Sequence, residues 1–251
     1  MQRTNAAMTR HGRSIRAAFI CLAGLTACGT APVTQGINDP NEAANREVHA
    51  FNKAIDRSVI RSLAGVMAGQ GEPGPIARGI ANFADNLNEP GRVVNSLLQL
   101  DIEGAAQGTL RFAFNSTFGL AGVLDPSSAL GVQVMDTDFG ETLHVWGVGE
   151  GAYVELPILG PSTERDTVGV AVDHVINPMR LLLKFPDSLV ATAASAASNV
   201  SDRGRYSDTI DSILYESADS YAQSRLLYLQ NRRFALGQTP GDDSFEDPYA
   251  E

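Results

Sequence analysis

Apolar residues recur at steps of three or four from Ala44 through Val48, Phe51, Ile55, Val59 and Leu63, the spacing of one face of a helix. Arg46, Glu47, Lys53, Asp56 and Arg57 occupy the other face. The start is marked as well: Asp39 can cap, Pro40 suits the first helical position, and Glu42 follows three residues after the cap. After a break at 69–75, Ile76, Ile80, Phe83 and Leu87 predict a second helix that ends at Asn88-Glu89-Pro90. Val93, Val94, Leu97, Leu98 and Leu100 predict a short third helix. Asp101 predicts the cap of a fourth, with Ile102, Ala105, Ala106, Thr109, Leu110 and Ala113 turned inward. Residues 112–130 are apolar and punctuated by glycine. Residues 145–158 alternate enough to read as strands, while Gly147, Gly149 and Gly151 suit a hairpin or a loop; Pro157 and Pro161 argue against a central strand. A further helix runs from Ser162 through Val168, Val172, Val175 and Ile176 to a stop at Asn177-Pro178. A leucine segment at 181–183, an Ala/Ser stretch and a long last helix over 208–234 follow, the last with Ile210, Ile213, Leu214, Tyr221 and Tyr228 on one side. The acidic, Pro/Gly-bearing residues 237–251 predict a disordered tail.

The first residues follow a different logic. Arg3, Arg10, Arg13 and Arg16 precede an apolar run over 17–27 that is too short to span a bilayer, the order of a secretory signal peptide. Leu25-Thr26-Ala27-Cys28 looks like the lipobox of a bacterial lipoprotein. Residues 1–27 are then the removed leader, Cys28 is the acylated residue, and 28–38 form a polar tether. One acyl chain anchors only marginally, at about 0.8 kcal/mol per buried CH₂, whereas two or more anchor stably. Gly29, where an aspartate would favour inner-membrane retention in enteric bacteria, directs the expectation to the outer membrane.

Composition narrows the function. The net charge of −10 becomes more negative once the four leader arginines go, which excludes a nucleic-acid partner. Of the two cysteines, Cys21 leaves with the leader and Cys28 carries lipid, so no thiol is left for a disulfide, zinc site or nucleophile. Gly147-Val148-Gly149-Glu150-Gly151-Ala152 fits G-x-G-x-x-A formally, but extended residues rather than a helix follow it, so no dinucleotide site is expected. There is no G-x-S-x-G elbow, and His49, His144 and His174 show no metal-ligand spacing. The run Asp136-Thr137-Asp138 is too short for a calcium loop, which leaves Asp138 as a helix cap. No catalytic residue, metal or cofactor is expected. The glycine-rich stretch over 114–130 reads in two ways, as a buried core connection or as the mobile lining of a greasy passage.

Several blocks together carry a resemblance. Asp39-Pro40 with Asn45-Arg46 and Phe51-Asn52 is the first. Asn82-Phe83, Asn86-Leu87, Glu89-Pro90, Val94-Asn95 and Leu98-Gln99 form the next, and Arg111-Phe112 with Asn115-Ser116-Thr117 and Gly119-Leu120 to Asp125 the third. The longest runs from Phe139-Gly140-Glu141-Thr142-Leu143 through Tyr153-Val154, Leu156-Pro157 and Gly160-Pro161-Ser162 to Arg165-Asp166, and Asp219-Ser220-Tyr221 with Arg225 is a weaker echo. These resemble the MlaA/VacJ family of outer-membrane lipoproteins. The opening block departs in carrying Ala43-Ala44 where the family often has a bulkier apolar residue before Asn45.

The resemblance implies a mainly α fold: a single domain of amphipathic helices over 39–236, forming a ring- or disc-like body with a central channel. It also turns residues 145–160 from strands into an extended loop. It implies a non-enzymatic protein, set in the inner leaflet of the outer membrane, that removes phospholipid misplaced in the outer leaflet. The lipid passes to a soluble periplasmic lipid-carrier protein, and a trimeric outer-membrane porin is a partner. Phe114, Phe118, Gly119, Leu120, Gly122, Val123 and Leu124 are the implied lipid-path and gating residues. Two other readings stay open, a lipoprotein hydrolase acting on lipid or cell wall, and a structural tether to a porin.

Overall fold

The computed structural model describes residues 36–68 and 74–238. The predicted leader, Cys28 and residues 239–251 of the predicted tail lie outside them, while Gly237 and Gln238, expected in that tail, bond back to Phe234 and Arg233. Helices α1 (Glu42–Ile55) and α2 (Arg61–Ala68) are joined without interruption by a π-helical turn, Asp56–Ile60. Then come α3 (Pro75–Leu98), α4 (Ile102–Thr117), the single turn α5 (Pro126–Ala129) and α6 (Phe139–Val145). A hairpin of β1 (Tyr153–Leu156) and β2 (Gly160–Thr163) leads into α7 (Glu164–Ile176), α8 (Pro178–Leu182) and α9 (Asp187–Arg205). The chain closes with α10 (Ser207–Asp211), a second π-helical turn, Ser212–Glu216, and α11 (Ser220–Ala235). The fold is mainly helical. α9 lies along both α2 and α3, α3 packs on α4, and α6 packs on α7. Among the described residues no helix is long and apolar enough to cross a membrane.

Four expectations about local structure are corrected. The second and third predicted helices are one, since α3 runs through Pro90. A proline inside a helix costs about 3 kcal/mol, and here α3 is held on both sides of it by its packing on α4 and α9. The 145–160 loop contains part of a true hairpin, with Tyr153 opposite Thr163 and Leu156 opposite Gly160. A two-stranded sheet is all edge, so Pro161 is admissible in it, and Pro157 falls in the turn. Its alternation shows in burial, with Tyr153 and Glu155 inward. The last helix is broken at residues 217–219, where Ser217 turns extended and Asp219 caps α11 by accepting from the Ala222 N–H. Asp39 does not cap α1, which starts behind Asn41; its carboxylate instead accepts from Asn45, Tyr221 and Arg225, tying α1 to α11. Asp101 and Asp138 do cap, accepting from the N–H groups of Gly104 and Glu141.

The polarity of the fold is inverted. Asn45, His49 and Asp56 are the buried residues of α1 and its π turn, while Phe51, Val59 and Leu63 on the predicted apolar face are exposed. α4 repeats this: Ile102 and Leu110, expected inward, point out, and Gly104, Ala105, Gly108, Arg111 and Asn115 face in. Of the six residues expected inward on α4, only Ala105 is buried. The buried apolar cluster is small, Tyr153, Tyr221 and Leu229 with Tyr228 packed on it. Elsewhere among the described residues the interior is built from Leu87, alanine, glycine and mostly hydrogen-bonded polar side chains.

Candidate functional site

The inward polar faces border a series of cavities. The largest, about 640 Å³, lies between α1, the hairpin, α9 and the α10–α11 region. His49, Asn52, Lys53 and Asp56 come from α1 and its π turn at helical spacing, so one stripe supplies one wall. Glu155 and Arg203 continue the polar lining, and Ile60, Leu159, Val200, Ile210 and Leu214 give an apolar one. A second cavity of about 290 Å³ shares Leu159 and Pro161 with the first and adds Asp138, Asp166, Tyr228 and Arg232. A third, about 310 Å³, shares Val170 and Asp173 with the second and is lined by polar groups of α3, α7 and α8.

The buried carboxylates along this series are pinned. Arg203 donates to both oxygens of Asp56 at 2.8 and 2.9 Å and to Asp211 at 2.6 Å, and Tyr215 donates to Asp56 at 2.7 Å. Burial works against the Asp56 charge, but the guanidinium and the tyrosine prevail and hold its carboxyl below the usual range. Asp166 is held down in the same way, burial being outweighed by Arg232, Arg165 and Tyr228. Glu155 accepts from Asn52 and Tyr153 and lies 3.3 Å from His49 Nδ1. These groups give the cavities a hydrogen-bonded polar lining held in one arrangement, alongside apolar side chains. Among the described residues no group of three His, Cys, Asp or Glu side chains is placed to hold a metal ion.

The residues singled out from sequence sit elsewhere. Phe114 and Phe118 pair at 5.2 Å between ring centres at the end of α4, and Phe118 and Leu120 are about 70% exposed (71% and 69%). Leu120, Ala121 and Gly122 take successive positive φ values of 54°, 58° and 96° and turn the chain back. A Cβ on Gly122 would stand 2.4 Å from Asn86 Cβ, and one on Gly119 would stand 2.4 Å from the Leu124 carbonyl oxygen, so both positions require glycine. Val123 and Leu124 are exposed. Asn82 and Asn86 donate to the carbonyls of Val123 and Ala121. Arg111, 3% exposed, clamps the far end through Asp125, Ser128 and the Val132 carbonyl. None of the seven lines these three cavities. The turn instead contributes Ala121 to a fourth cavity, about 330 Å³ and mostly apolar, with Phe83, Leu87, Phe112, Leu183 and Val190.

His49, Asn52, Asp56, Asn95, Asp173 and Arg203 were therefore missed as site residues. The signal was present: on α1, residues 45, 49, 52, 53 and 56 form a polar stripe as regular as the apolar one.

The comparisons with known proteins agree with this architecture. The profile of the family described as MlaA lipoprotein matches residues 37–235. The Intermembrane phospholipid transport system lipoprotein MlaA of Shigella flexneri is 33% identical over 217 residues, covering 85% of this chain and 83% of the relative. The protein of the same name from Haemophilus influenzae is 31% identical over 231 residues, covering 89% and 90%. A solved structure, described as "Structural basis for maintenance of bacterial outer membrane lipid asymmetry", is 31% identical with a TM-score of 0.67, covering 79% of this chain and 98% of its own. By family match and by relatives over most of its length, this chain belongs to the MlaA lipoprotein family.

Proposed function

We propose that this chain is a non-enzymatic outer-membrane lipoprotein that takes misplaced phospholipid from the outer leaflet and passes it to a soluble periplasmic carrier, maintaining lipid asymmetry. The observation that carries the reading is the inverted polarity: an interior of cavities with polar and apolar walls inside a surface rich in exposed Ile, Leu, Val and Phe. Releasing a sixteen-carbon chain into water costs on the order of 12 kcal/mol at about 0.8 kcal/mol per CH₂. A charged headgroup meets at least about 2.5–3.5 kcal/mol per charge in hydrocarbon. A path with one wet wall and one greasy wall lowers both barriers and needs no covalent step.

In this reading the three linked cavities form one central passage through a ring-like body seated in the inner leaflet. Cys28 carries the acyl anchor, residues 28–38 are the tether and 39–236 the body, which Gly237 and the buried Gln238 extend by two residues. Phe114, Phe118, Gly119, Leu120, Gly122, Val123 and Leu124 are the gate that admits tails, and a trimeric porin is the neighbour suggested by the family resemblance. Deleting the gene is expected to raise surface-exposed phospholipid, measured by outer-leaflet acylation or labelling; an unchanged outer leaflet overturns the reading.

A hydrolase is favoured by one observation. Ser220 Oγ lies 3.1 Å from His49 Nε2, and His49 Nδ1 lies 3.3 Å from Glu155, the order of a nucleophile, base and orienting acid. The N–H of Tyr221, the residue after Ser220 and so the natural oxyanion donor, is directed with that of Ala222 at the Asp219 carboxylate, however, which takes it away from a substrate. A fluorophosphonate probe separates the two readings: labelling lost in Ser220→Ala supports hydrolysis, and an unlabelled protein rejects it.

A further inference from the structure

The third cavity brings together ionic groups of both signs with little or nothing to pair with. Arg180, at the end of α8, lines it half-buried, with no ion pair or side-chain hydrogen bond among the described residues. His174 lines it from the last turn of α7 and also has no such partner among them. The other cation, Arg92, is already opposed by Glu89 at 3.4 Å and Asp85 at 3.3 Å. On the acidic side, Asp136 has a side chain that is 95% exposed, and its one ion pair, with Arg92, is loose at 3.9 Å. Asp173 is different: it accepts from Asn95 at 2.7 Å and from the Phe139 N–H at 3.0 Å, and burial raises its pKa. The cavity therefore presents an unpaired cation and a nearly unpaired anion around one space of about 310 Å³, bordered by the amides of Asn88, Asn95 and Asn177.

An unpaired guanidinium is a poor occupant of a half-buried position unless an anion arrives, and phosphate matches its planar fork of donors. A loosely held carboxylate lining the same cavity, Asp136, suits an ammonium group. We infer that this cavity is a headgroup station for a zwitterionic phosphate–amine lipid: Arg180, with His174 beside it, receives the phosphate and Asp136 the amine. The inference rests on the transport reading and deepens it, since it gives the passage a headgroup preference. Asp136 also rejects a purely anionic headgroup by repulsion, so the same residue that attracts the amine discriminates against its absence.

The test uses the full-length protein in mild detergent, with two short-chain soluble lipids, dihexanoyl phosphatidylethanolamine and dihexanoyl phosphatidylglycerol. Glycerophosphoethanolamine and inorganic phosphate serve as tail-free probes. The ethanolamine lipid is expected to bind at least several-fold more tightly than the glycerol lipid. Arg180→Gln should weaken it tenfold or more, and Asp136→Asn should shrink the preference between the two lipids to near unity. Asp136 is on the surface, so its variant keeps the fold, which circular dichroism verifies. Measurable binding of glycerophosphoethanolamine, lost in Arg180→Gln, places recognition in the headgroup, whereas equal binding of inorganic phosphate reduces the site to a phosphate site and overturns the zwitterion assignment. Equal affinity for both lipids in the unaltered protein also overturns it. A parallel vesicle-to-carrier transfer assay separates the two claims. Transfer without headgroup preference leaves the transport reading standing and removes this one; headgroup preference without any transfer does the reverse.

Discussion

Single residues here do work that a greasy core does in most folds. Arg203 gathers Asp56, Asp211 and, through Asp56, Tyr215, so that α1, α9 and α10 meet at one guanidinium. Removing one partner of a buried pair leaves the other charge uncompensated, at about 3–5 kcal/mol. Arg203→Met is therefore expected to lower the unfolding free energy by that order in denaturant titration. Arg203→Lys should rescue little, because an ammonium cannot make the two parallel bonds to Asp56. Gly122 carries a different constraint. At φ +96° and with Asn86 Cβ in the way, Gly122→Ala brings left-handed strain of about 1–2 kcal/mol plus a clash. Its signature is faster proteolysis of residues 118–125, with the rest of the body intact. Gly149→Ala is the control: nothing lies within 4 Å of its added methyl, and it should cut no faster than the unaltered chain.

Among elements, the seam between α1 and α11 is electrostatic and so depends on pH. Arg46 holds Asp219 at a pKa of about 2, down from 3.8. Glu42 is lowered by Arg46 and Arg225, and Asp39, despite its partial burial, by Tyr221, Arg225 and Asn45. Carboxyls depressed by folding add stability that is complete above their unfolded values and is lost as pH falls through the folded ones. The share of stability that these three carboxyls supply should thus be complete above about pH 5 and lost between roughly pH 4 and pH 2, so the melting temperature falls less over that window in Asp219→Asn than in the unaltered chain. An equal fall in the two proteins would show that other groups hold the seam. Element positions were largely legible in the chain, since caps at Asp101 and Asp138 and the apolar periods of α1, α3 and α7 mark where helices lie. Their orientation was not. Periodicity says that two faces differ but not which one meets solvent, and the usual assumption of apolar-inward fails for α1 and α4. The π turn at Asp56, the break at 217–219 and the helix through Pro90 were also hidden, because each is settled by packing partners distant in sequence rather than by local propensity. Residues 114–124 were singled out by their glycine-punctuated apolar pattern and by resemblance, and the cavity wall was passed over because polar stripes are ordinarily read as the wet face.

On the scale of the whole molecule, the exposed apolar residues make a prediction whose sign is opposite to that for a water-soluble protein. Val66 and Ile76 are more than 80% exposed (84% and 81%), and Phe118 and Leu120 lie out as well. On a body surrounded by water, changing such residues to aspartate is neutral for folding and improves solubility. On a body seated among acyl chains, each aspartate costs up to about 2.5–3.5 kcal/mol, and every 1.4 kcal/mol is tenfold in partitioning. The clean measurement removes the proposed anchor first, with Cys28→Ser, so that only the helical surface is left to hold the protein to lipid. This protein is expected to float with phospholipid vesicles in a density gradient, and Ile76→Asp with Phe118→Asp added should shift it to the soluble fraction by more than tenfold while its helical content stays unchanged. If the charged variant floats as well as its parent, the apolar surface is not what meets the membrane, and the inverted polarity loses its explanation.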